Sequence, residues 1–198
     1  MSKIYCLMGK SSSGKDTIFK ELLKGPEGFR QIVSYTTRPI RVGEKEGVEY
    51  HFVDEQEYTR LLQSGKIIEH REYHTAYGIW RYFTADDGQF QLEGDRDYLM
   101  IGTLEAYESM RDYFGREKVL PVMIELDDGV RLERALKRER QQETPGYVEM
   151  CRRFLADSED FAPEKIEAAG ITNCFQNNDL DTCLDEIRAF IKEQSKSI

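Results

Sequence analysis

Nothing in the 198 residues approaches the roughly 18 consecutive apolar positions that a membrane-spanning helix requires. The opening stretch MSKIYCLMGK holds only five consecutive apolar residues before Gly9, too few for a secretory signal. Cysteine and histidine are scarce: Cys6, Cys151, Cys174 and Cys183 form no Cys-x-x-Cys pair, and three histidines do not supply a zinc site. The four thiols are therefore expected to be reduced, in a cytoplasmic protein. Positive charge is in deficit too, with a net charge of −9 and an isoelectric point near 5.0. That speaks against nonspecific nucleic-acid binding, which relies on lysine and arginine to neutralise phosphates. Internal repeats, low-complexity tracts and linkers are missing as well, so one domain is expected.

What is present suits a single sizeable core, with 39% hydrophobic residues. KIYCLM reads as a buried strand, and DTIFKELLK after it has helical spacing up to Gly25-Pro26. RQIVSYTTR and VEYHFV are rich in β-branched and aromatic residues and read as strands. Asp54 with Glu57 forms a capping box that opens a helix ending at Gly65. KIIEHREY returns as a strand, and TAYGIWRYF reads as irregular. YLMI and VLPVMIEL are further buried strands, followed by helices over Leu104 to Phe114 and Val130 to about Gln142. A helix over Val148 to Phe161, a last strand ITNCFQ and a last helix over Leu180 to Ile191 complete the chain. This alternation predicts an α/β fold with a parallel sheet core flanked by helices, interrupted by a small β-rich insertion.

Gly9, Gly14 and Lys15 satisfy G-x-x-x-x-G-K between a predicted strand and a predicted helix. The glycines let the backbone of the loop, with Ser11, Ser12 and Ser13, wrap a pyrophosphate, and the helix start aims N–H groups at it. Lys15 can reach the outer phosphate oxygens. Asp16 stands where a serine or threonine contacting Mg²⁺ is expected, and Thr17 offers a hydroxyl beside it. A carboxylate in the first turn suits the helix dipole. Near a triphosphate it is repulsive unless a metal lies between, so Asp16 is also a candidate for approaching Mg²⁺.

A second cradle is written into residues 34–50, SYTTRPIRVGEKEGVEY. Arg38 and Arg41 in an extended loop can converge on one phosphate as forked donors. Ser34, Tyr50 and Tyr77 add hydroxyls. Glu69 puts two acceptors side by side, the complement of a guanine ring N–H and amino group; adenine lacks that donor pair. His70 and His74 are read as structural, because an ionised phosphate acceptor needs no strong base.

Together these features resemble the guanylate kinase family of nucleoside monophosphate kinases. The pattern comprises the P-loop, then S-x-x-T-T-R-x-x-R-x-G-E-x-x-G-x-x-Y from Ser34 to Tyr50, Glu69, Tyr77-Gly78, Arg134-x-x-x-Arg138, Arg153 and Asn177-x-Asp179-Leu180. It covers roughly residues 3–185. The resemblance implies a P-loop kinase fold with its core at about 1–33, 84–130 and 155–198, a monophosphate-binding lobe at about 34–83 and an arginine-bearing lid at about 131–154. It implies ATP as phosphoryl donor, Mg²⁺ as cofactor, and GMP or dGMP as acceptor, with small-molecule nucleotides as partners. Arg38, Arg41, Tyr50 and Tyr77 would hold the acceptor phosphate, and Ser34 and Glu69 would read guanine. Lys15, Arg134, Arg138 and Arg153 would surround the transferring phosphoryl group, and Asn177 would lie near the donor adenine.

Three positions depart from the family pattern. Ile79 replaces a Ser or Thr that bonds the base. Thr103 falls where the family has an aspartate facing metal and acceptor, and Asp16 is a candidate to take over that charge. The segment YGIWRYFTADDGQF is unusually aromatic, with Trp80 and Phe83 read as packing residues. Lys-Asp-Thr at residues 15–17 also resembles the loop of ribose bisphosphate phosphokinases, which keeps a sugar-phosphate acceptor open. A non-catalytic binding module is the remaining alternative, opposed by Lys15, Gly14 and the lid arginines.

Overall fold

The computed structural model describes residues 2–41, 43–75 and 78–195. The chain runs β1 (Ile4–Met8), α1 (Lys15–Lys24), β2 (Arg30–Gln31), β3 (Tyr35–Thr36), β4 (His51–Phe52), α2 (Glu55–Gln63), β5 (Ile67–Thr75) and β6 (Gly78–Ala85). It continues through β7 (Tyr98–Ile101), α3 (Leu104–Phe114), β8 (Val119–Glu125), α4 (Asp128–Glu139), α5 (Tyr147–Asp160), α6 (Pro163–Ala168), β9 (Cys174–Gln176) and α7 (Leu180–Gln194).

β1 is buried along its whole length because it lies at the centre of a five-stranded sheet, in the order β2-β7-β1-β8-β9. All of its pairings are parallel, so helices must cover both faces. Alternate β1 side chains feed two apolar layers. Tyr5 and Leu7 meet Ile18 and Leu22 of α1 and Leu184, Ile187 and Ile191 of α7. Ile4, Cys6 and Met8 meet Leu104, Tyr107 and Met110 of α3, together with Phe161 and Ile171. Among the described residues no helix is long and apolar enough to cross a membrane.

A second sheet, in the order β4-β3-β6-β5, stands apart with a small core of its own: Tyr35, Tyr58, Leu61, Phe83 and Ala85. Its spine is the antiparallel hairpin β5/β6, with Glu69 opposite Thr84, Arg71 opposite Tyr82 and Tyr73 opposite Trp80. A register shift between Ile67 and Glu69 inserts one extra residue in β5, a bulge that re-aims the side chains beyond it.

Local signals hold where a side chain serves its own neighbourhood. The Asp54 carboxylate accepts the Glu57 N–H at 2.8 Å and caps α2, and Asp179 accepts the Thr182 N–H at 3.0 Å at the start of α7. Three expectations need correction. Residues 78–83, expected to be irregular, belong to strand β6, because β5 supplies a pairing partner for their backbone. Ala76 and Tyr77, in the same stretch, lie outside the described residues. RQIVSYTTR is not one strand: Arg30–Gln31 joins the parallel sheet, whereas Tyr35–Thr36 joins the small one. VEYHFV contributes only His51–Phe52. Helix α6, with a proline in its first turn, had no counterpart in the sequence reading.

Phe83 stacks on Tyr35 and meets the edge of Tyr58, so it is the ring about which the small core is packed. Phe83→Ala is expected to cost about 3–5 kcal/mol. Hydrogen exchange should show protection lost in β5 and β6 while β1, β7 and β8 keep theirs.

Candidate active site

The loop between β1 and α1 is shaped by close approach. A Cβ on Gly9 would lie 2.4 Å from the Ile124 carbonyl oxygen, and Gly14 adopts φ +94° hard against Asn177. Ser12 holds φ 64°, unique among the described non-glycine residues, so strain is stored in this loop. The Ser12 and Ser13 hydroxyls are buried without a hydrogen-bond partner among the described residues, an arrangement that calls for a polar ligand. Asn177, buried, donates its amide N–H to the Ser13 carbonyl at 2.7 Å and so buttresses the loop. Lys15 stands at the start of α1 with its side chain largely buried. Burial lowers its pKa; Asp16 and Asp157 work against that shift and Arg153 and Arg131 reinforce it.

Helices α4 and α5 bring cations to the same loop. The Arg153 Nη2–H donates to the Ser11 hydroxyl at 2.9 Å, and Arg134 Nη1 lies 3.7 Å from where a Gly14 Cβ would stand. Arg138 is exposed one turn further along α4. Arg131 is 1% exposed. It donates to the Ser11 carbonyl at 3.0 Å and to Asp157 at 2.9 Å, and it pairs with Asp128. Asp157 in turn accepts the Ser11 backbone N–H at 2.8 Å. This ion-pair group ties both helices to the phosphate loop. Asp157 carried no signal in the sequence.

The second cradle is built around Glu44. Its carboxylate takes a two-pronged bond from Arg38, at 3.0 and 2.9 Å, and the Arg41 backbone N–H at 2.8 Å. Arg38, 3% exposed, also donates Nε–H to the Tyr82 hydroxyl at 3.1 Å and lies over the Tyr50 and Phe52 rings. It is thus fixed in direction, while the Arg41 side chain is exposed. Ser34 Oγ lies 3.1 Å from Thr84 Oγ1, which donates to Glu69 at 2.9 Å. The Glu69 carboxylate, expected as an open pair of acceptors, is engaged by Arg71 as well, at 3.1 and 3.5 Å. Tyr77 lies outside the described residues.

The two cradles are electrostatically coupled. Burial, followed by the neighbouring Tyr82, raises the Tyr50 pKa; Arg71 and Arg38 pull it down from the lobe side, and Asp16 of the phosphate loop pushes it up from the other. Glu149 of α5 closes the circuit. It is held below its usual range first by Arg152, and further by Arg153 and Arg41, one cation from each side. Asp16 is exposed in the first turn of α1 beside the exposed Thr17. Thr103 caps α3, its hydroxyl accepting the Ala106 N–H and an Arg71 N–H, both at 3.3 Å.

A strand, a glycine-rich loop and a helix in this order, on a parallel sheet flanked by helices, are the architecture of a P-loop kinase. Comparison with known proteins makes this specific. A family-wide sequence profile described as Guanylate kinase matches residues 1–81. The curated guanylate kinase of Symbiobacterium thermophilum is 33% identical over 190 residues, spanning 92% of this chain and 81% of that one. That of Thiobacillus denitrificans is 29% identical over 190 residues, covering 96% and 85%. The crystal structure of guanylate kinase from Anaplasma phagocytophilum superposes with a TM-score of 0.65 at 25% identity, covering 99% of this chain and 88% of that one. The chain belongs to the guanylate kinase family.

Arg38 holds Glu44 below the ordinary carboxylate value of 4.5. A depressed acid contributes stability that is complete above pH 4.5 and lost as the pH falls through the lower folded value. Glu44→Gln is therefore expected to remove part of the acid-induced loss of stability. Denaturant melts of both proteins at a series of pH values below 5 should converge as the pH drops.

Proposed function

We propose that this chain transfers the terminal phosphoryl group of ATP to a nucleoside monophosphate, GMP or dGMP, giving the diphosphate and ADP. The observation that carries this reading is the loop between β1 and α1, where the Ser12 and Ser13 hydroxyls are buried without a partner among the described residues and Lys15 and Arg153 stand beside them. In this reading Lys15 and the loop N–H groups hold the donor phosphates, and Arg38, Arg41, Tyr50 and Tyr77 hold the acceptor phosphate. Ser34 and Glu69 belong to the base pocket. Arg134, Arg138 and Arg153, on the lid helices, offset the charge spread over the transferring group. Such a step depends on positioning and charge stabilisation more than on covalent help from the protein. Closure of α4 and α5 would keep water from intercepting the phosphoryl group.

The donor nucleoside is proposed to lie near Asn177. A cavity of about 610 Å³ beside the neighbouring Gln176 is lined in part by Lys10, Ser13 and Arg131, and its size suits a nucleoside. Among the described residues no group of three or more His, Cys, Asp or Glu side chains could hold a metal unaided. That fits Mg²⁺ bound mostly by phosphate oxygens, with Asp16 and Thr17 completing the site from the first turn of α1. When bound, the ion would offset negative charge on the outer phosphates. Thr103, committed to capping α3, leaves the acid role to Asp16. A cytoplasmic setting suits the four free cysteines, two of them exposed.

Another phosphorylated acceptor is the second reading, favoured by the pairing of Glu69 with Arg71. One assay separates the two: ADP release with ATP–Mg²⁺ against GMP, dGMP, AMP, UMP, CMP and ribose phosphates. GMP and dGMP should turn over fastest; preference for a ribose phosphate would replace the proposal by the second reading. Asp16→Ser should shift the Mg²⁺ titration of turnover to higher concentration while ADP binding changes little. An unchanged Mg²⁺ titration would remove Asp16 from the metal site.

A further inference from the structure

Glu69 and Arg71 are two residues apart on β5, so both side chains leave the same face of the strand. The bulge at Ile68 sets Glu69 opposite Thr84, and the result is a polar chain leading from the lobe to the core. Ser34 meets Thr84, Thr84 donates to Glu69, and Arg71 joins Glu69 to Thr103 at the head of α3. The Glu69 side chain is 4% exposed and that of Arg71 20%.

This pairing alters what a base would meet. The edge of Glu69 that could accept a ring N–H and an amino N–H₂ together is taken by Nε–H and Nη2–H of Arg71. A guanine that took that edge would have to expel a largely buried guanidinium and leave it without its counter-charge, which is unfavourable. The guanidinium itself has more to offer. It carries five N–H donors, and its contacts among the described residues use three: two to Glu69 and one to Thr103. The other two, one on Nη1 and one on Nη2, are left to act as a second fork. Guanine presents a matching pair of neighbouring acceptors, O6 and N7, whereas adenine offers N7 beside a donor amino group.

We infer that Arg71 reads the acceptor base, donating its second fork to O6 and N7 of guanine, while Glu69, Thr84 and Thr103 hold it in position. The inference rests on the proposed function and deepens it: the base is the same, but it is read from the opposite edge. It also accounts for two departures from the family pattern. A hydroxyl at residue 79 is unnecessary once Arg71 serves the carbonyl oxygen. A neutral Thr103 supports Arg71 where an aspartate would compete for its fork.

Base analogues test this on the unaltered protein. Binding of GMP, IMP, 7-deaza-GMP and AMP would be measured by calorimetry. IMP lacks only the 2-amino group and should bind like GMP; 7-deaza-GMP lacks only N7 and should bind about tenfold more weakly. The reverse pattern, with IMP rejected and 7-deaza-GMP equal to GMP, would return the reading to Glu69 and overturn the inference. Arg71→Lys keeps the charge but not the fork, and should bring the ratio of GMP to 7-deaza-GMP affinity close to one. A ratio retained in that variant would also overturn it. Failure of all four purine nucleotides to bind, with a ribose phosphate binding instead, would remove the proposed function and the inference together, an outcome distinct from either purine pattern.

Discussion

A guanidinium withdrawn from water needs a counter-charge, and in this protein the partner is each time a carboxylate. Glu44 holds Arg38, Glu69 holds Arg71, and Asp157 holds Arg131. Each of these arginines is largely withdrawn from solvent, so each would be costly to bury unpaired. The pairs answer a problem set by the proposed chemistry. Two phosphate-bearing molecules repel each other, and the chain that brings them together carries a net charge of −9. Local, fixed cations solve this where overall charge cannot. Their carboxylate partners set direction, because a forked donor locked at one edge has a defined orientation at the other.

The phosphate loop depends on the same device at one remove. Its serines are threaded against Asn177, Asp157 and Arg131, from the far end of the sheet and from α4 and α5. These contacts fasten α4 and α5 directly to the loop between β1 and α1. The β-rich lobe meets the core through Arg71 and the Thr103 cap, and through Ile68, which packs against the layer of Ile4, Cys6 and Met8.

Much of this was legible in the residues. β1, α1 and the glycines between them follow from an apolar run meeting G-x-x-x-x-G-K, and the caps at Asp54 and Asp179 follow from side chains bonding within three residues. The motif from Ser34 to Tyr50 singled out Arg38 and Arg41, but not that Glu44 of the same motif would engage the Arg38 fork. Strands were less legible. Residues 78–83 read as irregular because a strand without its partner has no local signature, and RQIVSYTTR concealed a crossing between two sheets. Arg71 had a weak signal, two residues from Glu69 with a strand's alternation. Thr84 and Asp157 had none, since their meaning lies in partners 15 and 146 residues away.

By itself the sequence determined what short-range geometry controls: helix starts and stops, the turn of the phosphate loop, and the alternation that places Glu69 and Arg71 on one face. Tertiary structure decided which charges are already spoken for. Whether Glu69 is an open pair of acceptors or the support of an arginine depends on the bulge in β5 and the register with β6, and register is a property of two segments paired in space. Distances between groups remote in the chain are set by packing, and in this cleft the electrostatics follow from those distances.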